Sequence, residues 1–234
     1  MIERYSITAP AAKLKDRFEA EVLDTYAPHY NAAPTHLLPV IMASSPHGVS
    51  TFYWGISPEW AKNKTLSEKI INIRAESILE KPMLKKGMMK NRCLIPADGF
   101  YAWKKVGKKT SIPYRIITTD QDLFSFAGIW EEFEDTEGNE FHTFSIITTA
   151  ASAMVATIHE RMPVILTKDT EKIWLDMHST ESDLMNILKA YPAEKMNNYP
   201  VSSRINNADT NVPSLITPTP PVDRFGNLTL FDYF

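Results

Sequence analysis

Apolar residues recur at helical spacing near the start of the chain, where Ala11, Leu14, Phe18 and Val22 follow Pro10 at steps of three to four. Proline is tolerated before or in the first turn of a helix, so the pattern predicts a helix over roughly 10 to 22. Beyond it the period shortens. Runs rich in β-branched and aromatic residues at 37–43, 51–56, 93–95, 99–104, 114–119, 123–133, 141–148 and 163–167 predict strands. The acidic stretch 131–140, with Glu137-Gly138-Asn139 inside it, separates two of them as a hairpin turn would. Helical patterns return late, one after Asp169 and one from about Glu181 to Tyr191, ended by Pro192. Thr217 to Pro221 carries three prolines and reads as an extended tail, not a linker. The sum is an α+β fold dominated by strands, in which non-adjacent strands curl into one or two packed sheets.

Length and composition narrow the reading. The chain has 234 residues, 44% of them hydrophobic, which suits one domain over 1–234 with 217–234 as its tail. There is no apolar run of about 18 residues, and Glu3, Arg4 and Pro10 interrupt the start, so neither a membrane span nor a secretion signal is expected and the location reads as cytoplasmic. Cys93 is the only cysteine and has no partner for an internal disulfide. The six histidines show no close spacing with thiols or one another, so no metal is expected.

The net charge of −3 hides a segregation. Between Lys81 and Thr119 stand ten basic residues (Lys81, Lys85, Lys86, Lys90, Arg92, Lys104, Lys105, Lys108, Lys109 and Arg115) against one acid, Asp98. That window is +9, which leaves −12 for the rest. Such a cluster is a solvated face or a surface for phosphates.

Four segments carry the chemistry. They are Met1-Ile2-Glu3-Arg4-Tyr5-Ser6, Ile71-Asn72-Ile73-Arg74-Ala75-Glu76-Ser77, Arg92 through Lys104 (RCLIPADGFYAWK) and Ile158-His159-Glu160-Arg161-Met162-Pro163-Val164-Ile165-Leu166. Asn72 and Arg74 alternate with Ile71 and Ile73 and share a face if extended, unless Arg74 simply pairs with Glu76. Strand alternation puts Ala102 opposite Tyr101 and Trp103. His159 reads alone as a capping histidine behind the helix that follows Thr149, and its ordinary pKa of about 6.5 also suits proton transfer. Trp54, Trp103, Trp130 and Trp174 read as core, and Trp60 as core or a stacking plane. Cys93 reads as a small buried hydrophobe, because its neighbours offer no activating base.

Taken in order, these segments resemble the SOS response-associated peptidase (SRAP) family, abasic-site processing proteins that crosslink themselves to damaged single-stranded DNA. The likeness spans roughly residues 1 to 216. It implies a single SRAP domain with a curved β core, flanking helices and a basic groove leading to the N-terminus. It also implies single-stranded DNA with abasic sites as partner; no cofactor is expected, and a monomer is expected although the sequence itself does not give the oligomeric state. Asn72 then takes the place that bonds the lesion sugar, and His159 the place that shuttles the proton for ring opening and reversal. Arg74 matches the arginine on a neighbouring phosphate. Arg4, Asn31, Trp60, Thr149 and Arg161 fall in the DNA groove, where aromatic planes stack on bases and arginines track phosphates.

Two positions depart from the family. Its second residue is a cysteine, bared by loss of Met1, hence the peptidase name; the amine and thiol of that residue together capture the sugar aldehyde as a thiazolidine. A glutamate at the position of Ala102 assists. Ile2 has no sulfur, and its bulk predicts that Met1 stays; Ala102 carries no proton, and Glu3 is a poor substitute acid. Three readings follow: a member that binds DNA without stable crosslinking, one that uses the Met1 amine and His159 for reversible imine or lyase chemistry, and a non-catalytic interaction module. Retention of Asn72, Arg74, His159 and Arg161 favours the first two, and the first is expected.

Overall fold

A computed structural model of the protein describes residues 2–55, 71–107, 110–134 and 137–222. In chain order the first half holds β1 (Tyr5–Ile7), α1 (Ala11–Phe18), β2 (His29–Ala32), β3 (Leu37–Met42), β4 (Ser45–Trp54), β5 (Asn72–Arg74), α2 (Pro82–Lys90), β6 (Arg92–Ala97) and β7 (Gly99–Lys105). The second half holds β8 (Ser111–Thr118), β9 (Phe124–Glu134), β10 (Glu140–Ala150), α3 (Ala153–Ala156), β11 (Arg161–Pro163), β12 (Ile165–Leu166), α4 (Lys168–Leu175), α5 (Glu181–Ile187) and β13 (Met196–Pro200).

The strands form two sheets. Five run in the order β13-β8-β7-β1-β2. The others pair β10-β4-β3-β6-β9, and β9 returns to β10, so this sheet closes on itself as a small barrel carrying β5, β11 and β12 at its margins. Alternation along the barrel strands feeds two cores. Val40, Ile95, Phe126 and Ile146 join the core shared with the five-stranded sheet, which also holds Ile2, Tyr5, Phe100, Ala102 and Tyr114. Their neighbours Ile41, Leu94, Ala127 and Ile147 join a second core, under Met88 of α2, Trp174 of α4 and Leu184 of α5. Tyr5 marks the seam between the sheets, its ring edge-on to Trp54 and Phe126 at 5.3 and 5.7 Å.

Several elements differ from the sequence reading. The first helix stops at Phe18, because Glu19 adopts a left-handed φ of 52°, yet Val22 still packs on the core from outside the helix. The late helix ends at Ile187, well before Pro192. The acidic hairpin is real: β9 and β10 pair from Ile146 to Glu140, and Gly138 takes a φ of +91° beyond their ends. Helix α2 went unforeseen. It presses so closely on β9 that a Cβ at Gly87 would stand 2.8 Å from Ile129 Cγ2.

The basic window does not form one surface. Arg92 is wholly buried and donates to the carbonyls of Met88, Met89, Trp174 and Asp176 at 2.6–2.8 Å, fastening α2 to α4. Arg115 is also buried and pairs with Asp98 at 2.8 Å. Lys85 meets Glu181 at 2.6 Å. Lys108 and Lys109 lie outside the described residues.

Candidate lesion site and nucleic-acid interface

The site is assembled by β10. β4 and β5 lie end to end along it, both parallel to it, with Phe144 beside Trp54 and Ile146 beside Asn72. Gly55 and Ile71, where the chain leaves β4 and rejoins at β5, lie so close that a Cβ on Gly55 would stand 2.3 Å from Ile71 Cγ2. Gly55 itself takes a φ of +84°, which favours glycine. On the far side of β10, β11 pairs Arg161 with Ala150 and Met162 with Thr149. Asn72, Arg74, Thr149 and Arg161 therefore stand on three adjoining strands.

Asn72 and Arg74 share a face as the alternation predicted, with Ile73 between them buried in the helix-side core. Asn72 Nδ2 donates to the carbonyl of Ile2 at 2.7 Å. Its Oδ1 is buried and has no hydrogen-bond partner among the described residues. Ile2 is 1% exposed and Ala102 5%, both in the apolar core between the sheets. The chain reaches Ile2 beside β7, for Tyr5 pairs with Phe100 and the Tyr101 N–H donates to Arg4 O at 3.1 Å. Tyr101 and Trp103 point the other way, into a separate cluster with Ile205 and Leu215.

Arg161 is buried and heavily committed. It grips Glu76 through both terminal nitrogens at 2.8 and 2.9 Å and donates to Thr148 O at 2.8 Å. This Arg161 bond holds the Glu76 carboxyl below the usual carboxylate range. Arg74 remains exposed, with its Nε only 3.9 Å from Glu76 Oε2, so Glu76 answers chiefly to Arg161. The spacing of Arg74 and Glu76 is visible in the sequence; the Arg161 partnership, across 85 residues, is not.

His159 sits half-buried in the loop from α3 to β11, its N–H donating to Val155 O at 2.9 Å as a helix-terminal residue would. Its Nδ1 lies 3.0 Å from the Arg161 N–H, which donates to it, and 3.1 Å from Arg161 O. Burial lowers the imidazole from its ordinary value. Both readings of His159, cap and site residue, are thus compatible with one position.

The remaining candidates divide. Arg4 is partly buried next to the N-terminal residues, its Nη1 donating to Glu3 O at 2.7 Å. Asn31 is 1% exposed and spends Nδ2 on the carbonyls of Ile205, Asn207 and Thr210, so it faces that segment and not solvent. Trp60 and Met1 lie outside the described residues. Trp54 and Trp174 are wholly buried. Cys93 is buried too, and desolvation pushes its thiol up.

A sequence model of the family described as SOS response associated peptidase (SRAP) matches residues 1–208. The "Abasic site processing protein YoqW" of Bacillus subtilis is 44% identical over 193 residues, covering 82% of this chain and 86% of that protein. The "Abasic site processing protein HMCES" of Xenopus tropicalis is 30% identical over 223 residues, 81% of this chain and 66% of that protein. An X-ray structure of a protein from Bacteroides thetaiotaomicron superposes with a TM-score of 0.83 at 31% identity, covering 92% of this chain and 99% of that one.

Proposed function

The chain belongs to the SOS response associated peptidase (SRAP) family, and from that premise we propose that it binds single-stranded DNA at abasic sites without capturing it in a stable crosslink. One observation carries the reading: Asn72 holds the carbonyl of Ile2, and both Ile2 and Ala102 are packed into the core as hydrocarbon. Asn72 and Arg74 of β5 would face a lesion held beside β10, and Ile2 and Ala102 carry no group that could react with it.

Each remaining residue has work suited to its surroundings. The buried Oδ1 of Asn72 is an acceptor that a sugar hydroxyl would satisfy, since an orphaned buried acceptor is costly. Arg74 offers an exposed guanidinium for a phosphate. Arg161, bonded to Glu76 and Thr148 through its terminal nitrogens, serves by tying the turn after β5 to β10 and drawing Glu76 away from Arg74. The neutral imidazole of His159 can take or give a proton at a ring-opening sugar.

A thiazolidine needs an amine and a thiol from one residue, and isoleucine supplies no sulfur. Fluorescence anisotropy with a labelled single strand carrying a tetrahydrofuran abasic analogue, at two salt concentrations, tests the binding. Tight binding that weakens as salt rises is expected. Absence of binding at low salt overturns the reading in favour of an interaction module.

A further inference from the structure

Between the first turn of α2 and the helix-side face of β9 and β10 lies a cavity of about 440 Å³. Strand alternation sets it away from the lesion face. Ile73, which lines it, points to the opposite side of β5 from Asn72 and Arg74. Its floor is Ile129 and Glu131 of β9 with Thr143 of β10, and the register puts Glu131 directly beside Thr143. The segment 80–84 forms the wall. Helix α2 closes on β9 one turn later, where Gly87 meets Ile129, so its first turn stands off the sheet and leaves the gap.

The lining describes what would fill it. Ile73, Pro82, Leu84 and Ile129 are apolar, and Thr143, 3% exposed, adds one hydroxyl among them. Apolar surface continues along the wall: Met83 is 57% exposed, and Leu79, just before the segment, 44%. Large apolar side chains left in water beside a cavity mark a contact surface, and the flexible thioether of methionine adapts to the shape of a partner. The charges are unbalanced. Glu80 and Glu131 bring two carboxylates against the ammonium of Lys81, and among the described residues neither acid forms an ion pair. Glu131 is half-buried, where a carboxylate without a cation is costly.

We infer that this cavity is a docking site for a segment of a partner protein that presents a large apolar side chain beside a lysine or arginine. The apolar side chain enters between Met83 and Ile129, and the basic one meets Glu131. The volume lies in the range of binding clefts, and Met83 and Leu79 extend the contact beyond what a small ligand would cover. An acidic segment or a nucleic-acid strand would set like charge against Glu80 and Glu131. Because the cavity and the lesion face lie on opposite sides of β5, both are open to occupation at once.

The test titrates the full chain into a short fluorescein-labelled amphipathic peptide of leucine and lysine, with leucine–glutamate and serine–lysine peptides as controls. Anisotropy should show saturable binding of the first and much weaker binding of both controls. Met83→Glu, an exposed change in the first turn of α2 where an acid suits the helix, should weaken it about tenfold or more. Glu131→Gln should weaken it about two- to fivefold and flatten its salt dependence. A saturating strand with the tetrahydrofuran analogue should not displace the peptide. No binding of the leucine–lysine peptide, equal binding of either control, or indifference to both substitutions overturns the site. Hexylamine that competes as well as the peptide would make the cavity a small-ligand site instead. A dimer in sedimentation that Met83→Glu abolishes would put a second copy of the chain there, and either result overturns the inference.

Discussion

Asn72 donates from Nδ2 to the carbonyl oxygen of Ile2 at 2.7 Å, across 70 residues of sequence. Because β10 sets the position of Asn72, the bond ties the N-terminal segment to the barrel. Asn72→Ala should cost about 0.5–1.5 kcal/mol, the usual net worth of one such bond. It should also lower affinity for an abasic strand more than for an undamaged one. Urea unfolding and anisotropy read the two effects; an equal loss on both strands would mean that Asn72 only holds the fold.

That bond was out of reach of the sequence, while much of the scaffold was not. The long strands β3, β4 and β6 to β10 announce themselves because β-branched and aromatic side chains fill both faces of a buried sheet. The short ones, β1, β2, β5 and β13, have no such texture. Met196-Asn197-Asn198-Tyr199-Pro200 becomes a strand because β8 offers it a full ladder of partners. Helix α2 hid inside a lysine-rich window that drew attention to charge, although Pro82 at its first turn was a legible start. Arg92 and Arg115 illustrate the same limit: a charge count cannot tell a solvated cation from one that fastens backbone carbonyls inside the protein. Ile2 and Ala102 were legible as departures, and their burial explains how the fold accommodates them.

Arg161 and Arg74 should separate stability from binding. Glu76→Ala strands the buried Arg161 guanidinium with Thr148 alone. The expected cost is about 1–3 kcal/mol, less than for a fully buried pair because the carboxylate is half exposed. Arg74→Ala should leave stability within about 0.5 kcal/mol, yet lower the salt slope of DNA binding by about 0.7. Chemical unfolding alongside anisotropy would distinguish them. Loss of stability in Arg74→Ala, or an unchanged salt slope, would contradict the assignment.

Glu76 also sets a pH dependence. Its folded pKa is depressed by Arg161, so the folded state binds fewer protons than the unfolded one. The stability it contributes is present above the unfolded carboxylate value of about 4.3 and fades as pH falls through the folded value. Glu76→Gln should flatten the fall in stability below about pH 4.5 relative to the unaltered chain, while costing some stability at pH 7. Thermal melts from pH 3 to 7 test this, and parallel curves would refute it.

His159 should be neutral at pH 7, with Nδ1 accepting the Arg161 N–H and the ring proton on Nε2. Protonation would turn Nδ1 to donate to Arg161 O, 3.1 Å away. Burial depresses the folded pKa, so this histidine favours the folded state above its unfolded value of about 6.5 and less so as pH falls. Long-range proton–nitrogen NMR should find an unprotonated Nδ1 at pH 7 and a midpoint below 6.5. A midpoint above 6.5 would mean that a neighbouring acid outweighs burial.

The missing chemistry can be put back, and the geometry sets the order in which it should return. Incubated with a single strand carrying a true abasic site, the unaltered protein should give no heat-stable band on a denaturing gel, because Ile2 has no thiol and Ala102 has no proton to pass. Ala102→Glu alone places a carboxyl against the hydrocarbon of the core. That should destabilise the fold by about 1–3 kcal/mol and raise the new group's pKa. Ile2→Cys alone has a side chain small enough to let Met1 be trimmed, and should yield a band slowly. The deficit expected for the absent acid–base group is about 10²- to 10⁴-fold, less if His159 takes over part of the proton transfer. In the double variant the free amine of residue 2 gives the carboxyl a charged partner. The cost of the glutamate should therefore shrink, the two substitutions should be non-additive in a stability cycle, and the band should form fast. A stable band from the unaltered protein would reveal another nucleophile. A folded, DNA-binding double variant that gives none would show that more than two side chains separate this chain from crosslinking.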